Sequence, residues 1–401
     1  MICEKLNCTG CMACWSVCNV NAISMVEDEK GFLYPEINKD KCIDCGKCKK
    51  KCPLLKEIIG NNNFNKIVKA CWIKNENIRL SSTSGGFFSV AAESIINKKG
   101  VVFGAKFNDD FEVTHKFGQT LDEIKDFKGS KYVQSYVGKS FIQAKEFLEQ
   151  GRYVLFTGTP CQIAGLKSYL SKDYENLITL DIVCHGVPSP LVFRDYLKYI
   201  SNGNVENISK VQFRYKRPSW TVFSMKIDYK DGQSYMKDTN KDPYLVGFLS
   251  NLFSRECCYD CKFANEKRQG DITIGDFWGY ISENRKVKNE EKGISLIIIN
   301  TEKGSRFFNE NEFKFTVIDK TFAEAKDGNR CLAKPYGANS KKDEFWIDYK
   351  NEKFDSIKNK YLNERNIKLK RKISLFFNDH AYILPTDIRN YLIKLKKQIR
   401  G

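Results

Sequence analysis

Short apolar runs alternate with longer amphipathic stretches through the middle of the chain. Eight runs bounded by polar or turn residues are typical of strands, at 67–73, 101–107, 153–158, 177–184, 211–215, 223–229, 271–277 and 294–299. Stretches near 86–98, 140–150, 161–171, 190–200 and 302–310 have the spacing of helices. This order of elements predicts an α/β domain with a mixed sheet over residues 66–340.

The chain before this region has a different pattern. Nine of the sixteen cysteines lie within the first 52 residues, which hold little apolar sequence for a core. The polar run Asn61, Asn62 and Asn63 then predicts a linker. We therefore expect a small separate domain at 1–60 ahead of the larger domain, an α+β / α/β combination.

The end of the chain is basic. From residue 351 onward there are thirteen Lys or Arg against five Asp or Glu, with apolar residues at helical intervals. This pattern predicts a helical basic tail at 345–401, interpreted as a solvated helical extension packed on the main domain. The alternative is a helix that docks on a partner or contacts a membrane surface peripherally.

Composition narrows the possible functions. The 401 residues are 42% hydrophobic with a formal net charge of +17, but no nucleic-acid-binding motif accompanies the charge. No apolar stretch reaches the ~18 residues of a spanning helix, and the start lacks the apolar core of a signal peptide. We expect a cytoplasmic protein with reduced thiols in an anaerobic, reducing setting and no nucleic-acid partner. The sequence leaves the oligomeric state open.

Two cysteine runs share one spacing. Each has gaps of two, two and three residues, which is the bacterial ferredoxin pattern for 4Fe-4S clusters. In that pattern three neighbouring thiolates bind one cluster and the fourth binds the other. The rule assigns one cluster to Cys8, Cys11, Cys14 and Cys52, and the second to Cys42, Cys45, Cys48 and Cys18.

Zinc is the competing interpretation, because it also takes four thiolates. Zinc ligands usually come as two separated pairs, whereas each run here groups three cysteines at two-residue gaps. The spacing therefore favours 4Fe-4S clusters and predicts that residues 1–60 form a small ferredoxin-like two-cluster domain.

A third set of cysteines lies in the α/β region. Cys161 and Cys184 follow apolar strands, and Cys258 and Cys261 have a two-residue gap. Together they would supply the four thiolates of a third 4Fe-4S cluster. Taken singly, each is more often a buried small hydrophobic residue, because free cysteine is among the most buried residue types.

Several of these segments together resemble the coenzyme F-420 hydrogenase/dehydrogenase beta-subunit family, in which a ferredoxin module in front is a common arrangement. The similarity covers about residues 8–280 and is carried by 81–88 (SSTSGGFF), 128–135 (KGSKYVQS), 154–166 (VLFTGTPCQIAGL), 184–189 (CHGVPS) and 255–279 (RECCYDCKFANEKRQGDITIGDFWG). The resemblance implies a flavin-binding mixed-sheet domain with FAD, and it strengthens the assignment of the third cluster.

The resemblance also gives roles to particular residues. Those implied to bind the flavin are Ser84, Gly85, Gly86, Lys131, Tyr132, Gly158, Thr159 and Gln162. A glycine-rich helix start lets a diphosphate approach the backbone N–H groups, although a tight turn is the plain alternative. Candidate catalytic residues are Lys131, His185 and Asp276, while Trp220 and Trp278 are candidates for walls around a planar cofactor.

The function implied is an oxidoreductase that exchanges a hydride with a deazaflavin-like or other small reducible substrate. A flavin converts such a two-electron exchange into the single electrons that clusters carry. The alternatives are a non-catalytic electron-transfer subunit that docks on a separate enzyme, and a reductase of another metabolite, for example a sugar-linked one. The expected partner is thus either a redox protein or a small two-electron substrate.

Overall fold

The computed structural model describes residues 2–58, 60, 64–280 and 292–363. The linker predicted at 61–63 and the part of the basic tail beyond 363 lie outside the described residues. We call residues 2–58 the N-terminal module and the described residues from 64 onward the main domain.

Strands form three sheets in the described chain. In chain order they are β1 Ile23–Glu27, β2 Leu33–Ile37, β3 Ile67–Ile73, β4 Val101–Phe107, β5 Val113–Gly118, β6 Ser135–Tyr136, β7 Val154–Gly158, β8 Leu177–Ile182, β9 Ile208–Tyr215, β10 Ser224–Tyr229, β11 Ser234–Asp238, β12 Ile272–Asp276, β13 Ser295–Ile299 and β14 Phe315–Lys320. All eight predicted strands are present, and β5, β6, β11 and β14 are additional in the main domain.

Helices cover the sheets and connect their strands. In chain order they are α1 Ala13–Ser16, α2 Lys47–Lys50, α3 Glu76–Ser81, α4 Phe87–Asn97, α5 Ser140–Glu149, α6 Pro160–Leu170, α7 Pro190–Ile200, α8 Pro243–Leu249, α9 Glu256–Tyr259, α10 Glu302–Asn309, α11 Phe322–Gly328, α12 Lys342–Asn351 and α13 Phe354–Tyr361. The five predicted helices correspond to α4, α5, α6, α7 and α10.

The largest sheet has nine strands in the order β14-β3-β13-β12-β8-β7-β4-β5-β6. Its centre, β4-β7-β8-β12, is parallel, and antiparallel strands flank it on both sides. This arrangement confirms the predicted mixed sheet. Because the four central strands are parallel, their carboxyl ends meet at one edge, where ligands bind in open α/β sheets.

A smaller antiparallel sheet, β11-β10-β9, packs beside this edge. Its apolar face shares a core with α7, α8 and the last two helices, and Phe345, Trp346 and Ile357 are buried there. The predicted start of the tail at 345 falls inside α12. The described part of the tail is therefore packed into the main domain.

The N-terminal module consists of the β1–β2 hairpin and the short helices α1 and α2. It packs on the main domain through α1, which contacts α6. Gly165 of α6 permits this contact, because a Cβ there would lie 3.0 Å from the Sγ of Cys11. At the hairpin turn, Gly31 likewise faces Leu191 at the start of α7, only 2.5 Å from where its Cβ would be.

Within the described ranges, the helices are all too short or too polar to cross a membrane.

Candidate functional site

The first four-cysteine set lies around one small cavity in the N-terminal module. Cys8, Cys11, Cys14 and Cys52 line it together with a fifth thiol, Cys3. Burial raises the pKa of Cys11 to about 12; the backbone N–H of Ala13 acts in the opposite direction, and the charges of neighbouring cysteines add to the increase. Ionised thiols held this close repel one another, and a cationic iron cluster would compensate their charge, so the donor set fits such a cluster.

Two of these thiols have lowered pKa values. A hydrogen bond from Cys3 is the largest cause in both cases, and it lowers the pKa of Cys8 to about 6 and that of Cys52 to about 7. Cys3 had no role in the sequence analysis, because it lies outside the ferredoxin spacing.

The second set is only partly brought together. Cys18 and Cys48 pack against the same small apolar cluster, and the Cys18 sulfur accepts the backbone N–H of Ala22 at 3.3 Å. Cys42 is half-buried with its thiol 3.7 Å from Asp44, and Cys45 is exposed. This set is therefore the more exposed of the two in the module.

The third set converges at the carboxyl edge of the large sheet. Cys161 lies in the first turn of α6, and Cys184 lies two residues beyond the end of β8. Burial raises the pKa of Cys161 to about 12, and the charges of Cys261 and Cys258 add to this increase. Burial is also the largest cause of the raised pKa of Cys184, again with contributions from Cys258, Cys161 and Cys261. Four half-buried thiols whose ionised forms repel one another are a donor set that fits a metal cluster.

Two further cysteines lie close to the third set. Cys257 forms a hydrogen bond with Cys258, which is the largest cause of the raised pKa of the latter. Cys331 is buried, and its charge contributes to the raised pKa of Cys261. In the described chain, no three His, Cys, Asp or Glu side chains are arranged around a single metal ion. A 4Fe-4S cube spaces its thiolates more widely, because irons and sulfides lie between them.

A cavity of about 760 Å³ opens at the same edge, which we call the edge cavity. Cys161 and Cys184 form part of its wall, so the third set borders it directly. The predicted residues that line it are Ser84, Gly86, Lys131, Tyr132, Gly158, Thr159, Gln162, His185, Asp276, Trp220 and Trp278. Its volume lies within the range typical of cofactor sites.

Gly85 does not line the cavity. A Cβ at Gly85 would lie 2.3 Å from the carbonyl oxygen of Cys71, so this glycine is required by close packing on β3. Gly86 has a φ of 94° and is the N-cap of the eleven-residue helix α4. The helix start therefore faces the cavity with backbone N–H groups, an arrangement that favours an anion.

Two lysines border this region with their ammonium groups on backbone carbonyls. Lys131 donates to the carbonyls of Asp126 and Lys128 at 2.6 and 2.9 Å. Lys216, which sequence reasoning missed, donates to the carbonyls of Ser84 and Arg79, each at 2.8 Å. Burial lowers the pKa of each lysine to about 7.

Thr159 and Gln162 cap the start of α6. The Gln162 side chain accepts the backbone N–H of Thr159 at 2.9 Å and donates to Ser135 at 2.9 Å. The Thr159 hydroxyl lies 3.1 Å from the Cys161 sulfur. These two side chains thus position Cys161, and Gly158 leaves the strand end open to the cavity.

Asp276 holds one wall of the cavity together. It accepts a hydrogen bond from Trp220 Nε1 at 2.6 Å and one from Arg214 Nη1 at 2.8 Å. Trp220 and Trp278 stack with ring centroids 5.0 Å apart. Arg214 lies over the Phe223 ring at 3.9 Å. Arg214 had no role in the sequence analysis, although it faces the cavity from β9.

His185 and Tyr132 also line the cavity, and the Tyr132 hydroxyl accepts a hydrogen bond from Arg214 at 3.4 Å. The His185 ring lies 4.2 Å from the ring of Tyr336 and 5.0 Å from that of Phe248. Tyr132 packs on Phe248 at 4.5 Å, and its carbonyl accepts the hydroxyl of Tyr244 at 2.6 Å. Both residues present aromatic surface to the cavity.

Arg255 lies between the first and third cysteine sets and is fully buried. Its side chain donates to the carbonyls of Cys8 and Leu33, and its own carbonyl accepts the N–H of Cys258 at 2.8 Å. The guanidinium also lies 3.9 Å from the Tyr34 ring centroid. This arginine begins the segment RECCYDC, so the sequence contained it but no pattern distinguished it.

Comparison with known proteins identifies two segments. Residues 151–320 match the family described as the C terminus of the coenzyme F420 hydrogenase/dehydrogenase beta subunit. Residues 7–54 match the 4Fe-4S dicluster domain family. The resemblance proposed from the motifs is confirmed, although the segments 81–88 and 128–135 lie outside the matched range. Residues 151–320 are thus related to the C terminus of these beta subunits, and the dicluster match supports two 4Fe-4S clusters.

Among solved structures, one similar chain belongs to the F420-reducing [NiFe] hydrogenase complex from Methanosarcina barkeri. The two share 15% sequence identity with a TM-score of 0.44, over 67% of this chain and 87% of that one. No curated protein sequence gives a significant match.

Proposed function

We propose that this chain, which joins a 4Fe-4S dicluster domain to a region related to the beta subunits of coenzyme F420 hydrogenase/dehydrogenase, is an FAD-dependent oxidoreductase. Its substrate would be a deazaflavin such as coenzyme F420 or another small hydride donor or acceptor. The observation that carries the proposal is the edge cavity of about 760 Å³, whose wall contains two thiols of the third cysteine set.

The residues around the cavity fit a flavin dinucleotide. The N-terminus of α4 offers N–H groups for the diphosphate, with Gly86 as its cap and the buried amine of Lys131 also on the wall. The stacked pair Trp220 and Trp278 offers a flat apolar surface for a ring system. Asp276 and Arg214 hold that pair in place through the hydrogen bonds described above.

Bound there, FAD would supply the exchange between a two-electron hydride and single electrons. The chain's own residues would hold the clusters that carry the single electrons away. Cys161, Cys184, Cys258 and Cys261 would hold a third 4Fe-4S cluster at the cavity wall. Gly165 brings Cys11 against the helix whose first turn holds Cys161, so the first cluster lies next along the route. The N-terminal module then presents its second cluster site to a redox partner.

The aromatic surfaces of His185 and Tyr132 would enclose the substrate side of the cavity and exclude water from the hydride position. His185 is also a candidate for holding a proton there, because its imidazole lines the cavity. The setting we propose is cytoplasmic and reducing, because cluster-binding cysteines must stay out of disulfides.

The test is anoxic purification followed by cofactor analysis. The proposal expects one FAD released on denaturation and about twelve iron atoms per chain. Cys184→Ala should lower the iron to about eight, whereas Cys71→Ala, at a buried cysteine of β3, should leave it unchanged. The protein should also reduce a dye with F420H2 or another hydride donor. Clusters without any flavin would contradict the proposal and indicate an electron-transfer subunit for a separate enzyme.

A further inference from the structure

The ferredoxin spacing assigns four cysteines to each of its clusters, yet five thiols line the first cluster site. Cys3 lines the same cavity as Cys8, Cys11, Cys14 and Cys52. Its thiol is within hydrogen-bonding reach of both Cys52 and Cys8. A 4Fe-4S cube takes one protein ligand per iron, so one thiol at this site exceeds the requirement.

The local structure holds Cys3 in place. The preceding residue, Ile2, is only 4% exposed and packs in a small core with Cys14, Ile23 and Cys52. On the other side, the turn Lys5–Asn7 is closed by hydrogen bonds from Asn7 N and Cys8 N to the carbonyl of Glu4. Cys3 is therefore anchored on both sides over the cluster site.

We propose that Cys3 is a reserve ligand of the first 4Fe-4S cluster, which takes the place of Cys8 or Cys52 when either is lost from its iron. In this exchange one Fe–S bond to the original cysteine breaks, the Cys3 thiol releases its proton to solvent, and its sulfur forms the new Fe–S bond. No electron is transferred. A thiol tethered this close acts at a high effective concentration, so replacement outcompetes loss of the iron.

This inference rests on the dicluster domain and is independent of the flavin and of the third cluster. Its test compares alanine variants, because serine can itself bind iron. Cys52→Ala and Cys8→Ala remove ligands that Cys3 reaches. Cys14→Ala removes a ligand of the same cluster and is the matched control, since the hydrogen-bonding contacts of Cys3 are to Cys8 and Cys52.

Iron and sulfide are counted after anoxic purification, and reduced samples are examined by electron paramagnetic resonance. We expect Cys52→Ala to keep all the iron of the parent chain within about one atom. The double variant with Cys3→Ala should lose about four iron atoms, or one cube. Cys14→Ala should lose this cluster whether or not Cys3 is present, and Cys3→Ala alone should keep full iron.

The proposal is overturned if Cys52→Ala and Cys8→Ala lose as much iron as Cys14→Ala. A second measurement needs no ligand variant. Parent and Cys3→Ala proteins are treated with ferricyanide, and the release of iron is followed over time. A reserve ligand predicts release several-fold faster from the Cys3→Ala protein, and equal rates in the two proteins would overturn it even if the ligand variants do not fold.

Discussion

The Nε of Arg255 donates a hydrogen bond of 2.7 Å to the backbone carbonyl of Cys8, across a separation of 247 residues. The contact joins the main domain to the first cluster loop of the N-terminal module. A second hydrogen bond from the same guanidinium, to Leu33 at 3.0 Å, reaches the β-hairpin. One buried side chain thus ties two parts of the module to the segment that carries Cys258.

Replacement of Arg255 should weaken the attachment of the N-terminal module to the main domain. Arg255→Gln leaves two buried carbonyls without their charged donor, and a hydrogen bond to a charged group contributes about 1.5–3 kcal/mol. We expect the free energy of unfolding to fall by about 3 kcal/mol or more. Unfolding with guanidinium chloride under anoxic conditions measures this free energy.

Arg306→Gln is the control for that variant, because the Arg306 side chain is 55% exposed. Its effect should stay within about 0.5 kcal/mol. Arg255→Lys separates charge from geometry, since lysine keeps the charge but lacks the planar fork. If Arg255→Gln were as stable as the control, the two parts would be held together by other contacts.

A methyl group on α6 should disturb the first cluster. Gly→Ala inside a helix ordinarily stabilises by about 1 kcal/mol. In Gly165→Ala, however, the new Cβ would lie 3.0 Å from both Cβ and Sγ of Cys11. We therefore expect destabilisation by about 1–3 kcal/mol together with partial loss of iron. Thermal unfolding and iron content test this, with Lys167→Ala on the same helix as the control, and a gain in stability with full iron would contradict it.

Anion binding in the edge cavity should depend on the charge of Lys131. Burial lowers its pKa to about 7, so the folded chain binds fewer protons at this amine than the unfolded chain between pH 7 and its ordinary value of 10.5. The stability contribution of this group therefore rises with pH across that interval and is at its lowest below pH 7. An anion such as a diphosphate prefers the charged amine, so its affinity should fall as pH rises above 7, by up to about tenfold per unit.

Equilibrium titration with FAD or ADP between pH 6 and 9 measures this dependence. The Lys131→Gln variant should bind FAD or ADP more weakly at pH 6, and its affinity should no longer depend on pH. The Lys125→Gln variant, at a side chain that is 62% exposed, should keep the affinity and the pH dependence of the parent chain. A slope that persists in Lys131→Gln would assign the titration to another group, with Lys216 the first to examine because its pKa is also lowered to about 7.

Asp276 should act by holding Arg214 and Trp220 in place rather than by transferring a proton. Its carboxylate accepts hydrogen bonds from Arg214 and Trp220, and the two side chains of the ion pair are only 4% and 14% exposed. Asp276→Asn leaves the Arg214 charge buried without its counter-ion, at a cost of about 3 kcal/mol. The free energy of unfolding of this variant is the measurement.

Asp228→Asn breaks the more exposed pair with Lys226 and should cost less than about 1 kcal/mol. A different result for Asp276→Asn would refute the positioning role. If stability were unchanged while the pH profile of turnover shifted, the carboxylate would be a proton-transferring group.

The sequence was informative where a local pattern determines the structure. The apolar runs at 101–107 and 294–299 are β4 and β13, because short runs rich in β-branched and aromatic residues and bounded by turn residues are typical of strands. The strands that were missed are edge or polar ones, such as β11 (SYMKD), where exposed positions interrupt the apolar alternation. Cysteine spacing likewise identified both ferredoxin runs.

The site was harder to predict because its parts are distant along the chain. Arg214 sits on β9 and its partner Asp276 ends β12, and no local pattern links them. Cys3 was overlooked for a different reason, since a motif reports only the residues inside its spacing. Gly85 was assigned to a ligand, yet its missing side chain is explained by the 2.3 Å approach to the Cys71 carbonyl.

The contact made by Arg255 also bears on whether the N-terminal module could be replaced by the dicluster domain of another protein. Its acceptors are main-chain oxygens, which every residue possesses, so the loop can change its side chains without losing the bond. Gly10 is different, because a Cβ there would lie 2.6 Å from Gln134 and 3.2 Å from Arg255. A dicluster domain grafted from another protein would therefore need the same backbone path at Arg255 and a glycine at this position, and it would also have to fit the close contacts of Gly31 with Leu191 and of Cys11 with Gly165.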